Sequence, residues 1–227
     1  MKAGVGKVLA AALLVMGAAL AQGADWAEGT HYTVLRPAQP TNVPAGKIEV
    51  VEIFSYACPA CYQFRPFANK LKAALPKNAV LSYVPASFLP AEDWPVFQRA
   101  FFAADALGLV DKTHDAMFDA IWKSYELGVI DPNTRRPRKP LPAIEDVAKF
   151  YQRAAGVQPD KFLSVANSFS TDTNMNRADA YLKSTKVAST PTLIVNGKYK
   201  LDPSSAGGSQ QVVDLVLWLV AKESGTH

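Results

Sequence analysis

Residues 46–55, GKIEVVEIFS, are apolar and β-branched along most of their length, and Gly46 precedes them. This run predicts a buried strand, with the acid Glu52 inside it. Past Cys58 the period changes. Pro59 stands where the first turn of a helix tolerates proline. Cys61, Phe64, Ala68, Leu71 and Leu75 then recur three or four positions apart, the spacing of one helix face. The switch places Cys58 at a strand-to-helix junction. Pro66 lies inside the predicted helix and predicts a kink there, because it removes a backbone donor and crowds the preceding turn. VLSYVP (80–85) predicts a second strand.

From residue 91 to about 183 the apolar period is helical, in WPVFQRAFFAADALGL, HDAMFDAIWKSYELG, IEDVAKFYQRAAG, PDKFLSVANSF and RADAYLKS. Gly108, Gly128 and Gly156 separate these segments, and Asp160 is a candidate start for the fourth. Between the second and third lies DPNTRRPRKPLP (131–142), whose Arg135, Arg136, Arg138 and Lys139 read as a solvated loop rather than a polyanion site. Strand signals return in TPTLIV (190–195). Asn196-Gly197 is a strong hairpin signal, KYKL follows it, and QQVVDLVLWLVAKE (210–223) is an apolar helix. The strands at the two ends of the chain predict one α/β sheet domain, about 30–90 and 184–227, interrupted by a helical insertion at about 91–183.

Composition adds a compartment. The first residues, MKAGVGKVLAAALLVMGAALA, combine the basic Lys2 and Lys7, an apolar run at 8–20 and small residues at 19 and 21. That is the three-part pattern of a secretory signal peptide cleaved after Ala21, and the run is short for a spanning helix, which needs about 20 residues. The expected mature chain is 22–227, a length that can bury a sizeable core. The formal charge is +4, part of it from the two leader lysines, and so mild a balance does not point to nucleic acid. An exported protein meets an oxidising compartment, yet one cysteine pair is too sparse for a disulfide-stapled scaffold.

The chain has two cysteines, Cys58 and Cys61, in CPAC. Structural zinc needs four ligands, and the three histidines, His31, His114 and His227, are scattered along the sequence. A structural disulfide remains an alternative. The reactive reading fits the position best: a CxxC at a helix N-terminus sets Cys58 against free N–H groups and the positive end of the helix dipole, both of which favour thiolate. Cys61, one turn inside, is expected to be more buried and less acidic. Glu52, six residues earlier, is either a buried acid that exchanges a proton with Cys61 or a strand-end acid that reaches water. Pro191 begins a strand that should lie near the sheet centre, where proline fits only at a strand start or with a cis bond; the plainer reading is a turn proline.

With CPAC after VVEIFS, the TPT proline, the NGKY hairpin and the last helix, the chain resembles the thioredoxin superfamily. FSYACPACYQF, VNGKYKLDP and the helical insertion resemble its DsbA-type periplasmic thiol:disulfide oxidoreductases, over essentially the whole chain from HYTVL onward. The resemblance implies a thioredoxin fold with an all-helical insertion. It implies donation of the Cys58–Cys61 disulfide to reduced, unfolded exported proteins, and reoxidation by a DsbB-like inner-membrane quinone reductase. No cofactor, metal or nucleic acid is implied, and the simplest assembly is a monomer. By position Cys58 is the nucleophile, Cys61 the resolving thiol, Pro191 the cis proline and Glu52 the family's buried acid. Pro59, Ala60 and Thr190 are tuning positions, the Thr190 hydroxyl as a hydrogen-bond donor to a cysteine sulfur. Phe54, Tyr56 or the face of the insertion are candidates for weak contact with unfolded chains.

Two departures stand out. The best-known motif of the family has histidine where this chain has Ala60, which predicts a weaker oxidant: one pKa unit on the thiolate is worth about 1.4 kcal/mol, or ~30 mV. Some relatives also set a lysine in the second strand against the buried acid, and here that stretch offers Tyr83. A reductase or isomerase is the alternative enzyme class, though isomerases of the superfamily usually carry a dimerisation domain, for which the segment before the first strand is too short. A chaperone-like module with an inert disulfide is the non-enzymatic alternative.

Overall fold

The computed structural model describes residues 26–225, and the expected leader at 1–21 lies outside them. Strand β1 (Thr33–Val34) is followed by β2 (Ile48–Phe54), helix α1 (Pro59–Ala74) and β3 (Ala79–Pro85). Five helices come next: α2 (Trp94–Ala106), α3 (Val110–Trp122), α4 (Ile144–Ala155), α5 (Pro159–Ala166) and α6 (Phe169–Ser184). Strands β4 (Thr192–Val195) and β5 (Tyr199–Leu201), the short α7 (Pro203–Ala206) and α8 (Ser209–Glu223) complete the fold. The strands form one sheet in the order β1-β5-β4-β2-β3, parallel between β2 and β3 and antiparallel elsewhere. This is a thioredoxin-like sheet with a helical block between β3 and β4.

All seven residues of β2 are buried, as its central place requires. Alternation divides them between two apolar clusters. Ile48 and Val50 pack with Phe64, Ala68 and Leu71 of α1 and with Val212, Leu215, Val216 and Leu219 of α8. Val51 and Ile53 join the larger cluster built with the helical block. α1 continues through Pro66, which costs it one backbone bond without ending it. The hairpin of Asn196 and Gly197 has both residues at positive φ, 51° and 64°, the primed turn that Asn-Gly favours. Gly197 is required twice over, since a Cβ there would also collide with the carbonyl of Gln39.

Several elements differ from expectation. β1 is only two residues long and pairs with Lys200 and Tyr199 of β5, too short to leave a periodic signal. α5 ends at Ala166, and a new helix starts at Phe169, because the Ser168 hydroxyl accepts the Thr171 N–H and caps it. α7 is set by Asp202, which accepts the N–H groups of Ser204 and Ser205. Glu49, passed over in the sequence reading, is as buried as Glu52.

Candidate active site

The switch from β2 to α1 places Cys58 at the helix N-cap, with Pro59 at the first helical position. Its sulfur accepts the Cys61 N–H at 3.4 Å, and as a thiol it lies 3.5 Å from the Thr190 carbonyl, to which it donates. Both cysteines are free thiols in this structure. Cys58 is 5% exposed and Cys61 fully buried, whereas Pro59 and Ala60 between them are exposed. Hydrogen bonding from the Cys61 thiol, aided by Thr190 and by the backbone N–H groups of residues 60 and 61, brings the Cys58 pKa down to about 6 against the cost of burial. Burial, then the bond to Cys58, pushes Cys61 well above the ordinary thiol range.

The peptide bond from Thr190 to Pro191 is cis, and Pro191 sits just before β4, clear of the ladder. The sulfur meets Thr190 through its backbone carbonyl. The Thr190 hydroxyl, expected to bond a sulfur, is buried with no hydrogen-bond partner, although it helps lower the Cys58 pKa.

Glu52 is 3% exposed, and its Oε2 also lacks a partner. It pairs in register with Tyr83 of β3 on one side and Leu193 of β4 on the other. Burial and, after it, the Asp115 carboxylate raise its pKa to about 8. The strand-end reading, an acid that reaches water, is therefore corrected. Phe54 and Tyr56 are corrected too: at 0% and 1% exposure they are core residues and offer unfolded chains no surface.

α3 locks this region to the helical block. The Tyr56 hydroxyl meets His114 Nδ1 at 2.9 Å, and Trp122 Nε1 donates to the Tyr56 carbonyl at 2.8 Å. Arg65 of α1 binds Asp119 at 2.7 Å and the Asp115 carbonyl at 2.9 Å. Burial lowers the His114 pKa to about 4, so the ring is neutral near pH 7.

The thioredoxin family model matches residues 43–214. The thiol:disulfide interchange protein DsbA of Azotobacter vinelandii is 34% identical over 223 residues, 92% of this chain and 97% of that one. The chain belongs to the DsbA family of thioredoxin-fold thiol:disulfide oxidoreductases. The DsbA of Pseudomonas aeruginosa strain PAO1 is 35% identical over 203 residues, 89% of this chain and 88% of that one. The crystal structure of Pseudomonas aeruginosa DsbA superposes with a TM-score of 0.74 at 34% identity, covering 88% of this chain and 96% of that one. That of the oxidoreductase DsbA from Xylella fastidiosa gives 0.76 at 31%, covering 88% and 98%.

Within this DsbA frame, Ala60 leaves the Cys58 thiolate without a neighbouring imidazole. The thiolate is instead held by Cys61, Thr190 and the helix N-terminus. The sequence reading missed His114, Asp115 and Trp122. Tyr56 and His114 lie 58 residues apart, so no local pattern joins them. The one available hint was a polar ring inside an otherwise apolar helical repeat. Among the described residues, no helix is long and apolar enough to cross a membrane.

Proposed function

We propose that this oxidoreductase works as a dithiol oxidase, donating the Cys58–Cys61 disulfide to reduced, unfolded exported proteins. The opposite treatment of the two sulfurs carries this reading: Cys58 is drawn down to about 6 at the helix N-terminus, and Cys61 is pushed up in the core. A substrate thiolate attacks Cys58 Sγ, the S–S bond breaks, and Cys61 Sγ takes the electron pair and then a proton. The substrate's second thiolate attacks its own sulfur in the mixed disulfide, and Cys58 departs as thiolate. Its low pKa makes it a good leaving group and stabilises the reduced form, which drives donation.

In this reading Pro191 keeps backbone open beside Cys58 for a substrate segment, Thr190 and the exposed Pro59 and Ala60 tune the thiolate, and Glu52 supplies the proton for Cys61. The disulfide is itself the redox group, and no further cofactor takes part. The leader directs the protein to the periplasm. A DsbB-like inner-membrane quinone reductase restores the disulfide of the monomer.

The test is the equilibrium reduction potential of the pair in glutathione buffer, followed by the fluorescence of Trp122, whose indole binds the backbone two residues before Cys58. A value near the family's established figure of about −120 mV supports an oxidant, and one near the ~−270 mV of thioredoxin supports a reductase instead. Cys58→Ser should abolish exchange, and activity retained in that variant would leave the disulfide inert.

A further inference from the structure

The buried carboxyl of Glu52 must exchange its proton with water once per half-cycle if it serves Cys61 as proposed above, and this inference rests on that reading. No lysine faces it. Tyr83, its partner in register on β3, is half-buried at the sheet edge, and the Tyr83 ring lies 4.6 Å from that of His114, centroid to centroid. Both rings line a cavity of about 90 Å³ whose rim carries Asn69, Lys72 and Asp115. Tyr83 also lines an adjoining cavity of about 520 Å³ that opens by Lys72 and Asp111. A polar cavity of this size holds a few waters. Glu52, its Oε2 unpartnered, lines neither cavity and connects to them through Tyr83, its partner in register; on the outer side stands Asp115, about half exposed.

We propose that His114 and Tyr83, with the cavity they line at Asp115, form the passage through which Glu52 exchanges its proton with solvent, in the place of a charged partner on β3. When the S–S bond breaks, the electron pair remains on Cys61 Sγ. Glu52 gives its proton to that sulfur and becomes a carboxylate, and a proton from bulk water enters past Asp115 and His114 to restore it. Reoxidation runs the same transfers backwards. His114 acts through Glu52 and touches no reacting sulfur, so it is a positioning residue. The charged and titratable groups around it are Tyr56 after β2, Arg65 and Lys72 of α1, Tyr83 of β3, and Asp111 and Asp115 of α3.

Single-turnover exchange between the oxidised protein and a reduced two-cysteine peptide, across about pH 5 to 9, tests this. Glu52→Gln should erase the pH limb that belongs to the carboxyl. His114→Ala should slow the step on the order of tenfold, and imidazole in solution should restore it, which loss of packing alone would not allow. The thiolate titration of Cys58 should stay where it is. A wild-type rate and profile in His114→Ala, or a slow rate that imidazole leaves unchanged, would overturn the passage while leaving the oxidase reading intact. Should His114→Ala not fold, Asp115→Asn at the rim decides: it should move the Glu52 limb to lower pH, and an unmoved limb overturns the proposal. A wild-type protein that does not oxidise the peptide would instead refute the function itself.

Discussion

Strand β2 carries two acids three residues apart, and both are 3% exposed. At the lower end, Glu49 is satisfied: Oε1 accepts the Ser82 hydroxyl at 2.8 Å, and Oε2 accepts the Asn42 N–H at 3.1 Å. At the upper end, Glu52 lies opposite a phenol and an aliphatic side chain, and its Oε2 has no donor. Equal burial thus goes with an acid whose two oxygens both have donors in one place and an acid with an orphan oxygen in the other. Desolvation sets the cost of the charge, and hydrogen-bond donors decide whether that cost is met. An orphan atom alone is not a site, since Asp93, Gln98 and Tyr151 in the helical block have one each. What distinguishes Glu52 is its place on the strand that leads into Cys58.

The largest effect expected is on stability against pH. The Glu52 pKa rises from 4.5 to about 8 on folding, so between those values the folded state holds the proton that the unfolded state has released. Stability contributed by this group is therefore full below about pH 4.5 and falls as pH rises to about 8, at up to ~1.4 kcal/mol per unit. Glu52→Gln should remove that fall, and its denaturant midpoint should exceed wild type by most at pH 8 and above. Parallel pH curves for the two proteins would mean that Glu52 titrates normally and that the contrast with Glu49 is void.

Glu49→Leu should act in the opposite sense. It strands the Asn42 N–H and the Ser82 hydroxyl, at a cost of about 3 kcal/mol. The folded variant should exchange thiols at the wild-type rate. A catalytic defect without loss of stability would erase the division of labour between the two acids.

The smallest effect extends the comparison to a neutral group. Thr190→Val removes the other orphan atom beside the sulfurs and should raise the Cys58 pKa by less than one unit, read by thiolate absorbance. The reduction potential should fall by under about 30 mV. An unchanged titration would assign the lowering to Cys61 and the helix N-terminus alone.

The parts of this molecule visible in its sequence are those that local periodicity can encode. The β-branched run of β2, the helical spacing after Cys58 and the Asn-Gly turn each constrain their own neighbours, so the strand, the helix, the cysteine at the cap and the hairpin could all be read. What stayed hidden depends on distant partners. Ser82 lies 33 residues from Glu49, and His114 lies 58 from Tyr56, so neither pairing leaves a periodic trace. Burial of Tyr56, past the end of the strand, was hidden for the same reason: α3, which packs on it, is brought there by the tertiary fold.

The exposure of Pro59 and Ala60 beside a fully buried Cys61 has an evolutionary corollary. The side chains of the two positions between the cysteines are exposed, so substitution there is free of core-packing constraints. A lineage can therefore drift through many dipeptides at 59 and 60 while the strand, the helix and the buried Cys61 beneath them are inherited intact.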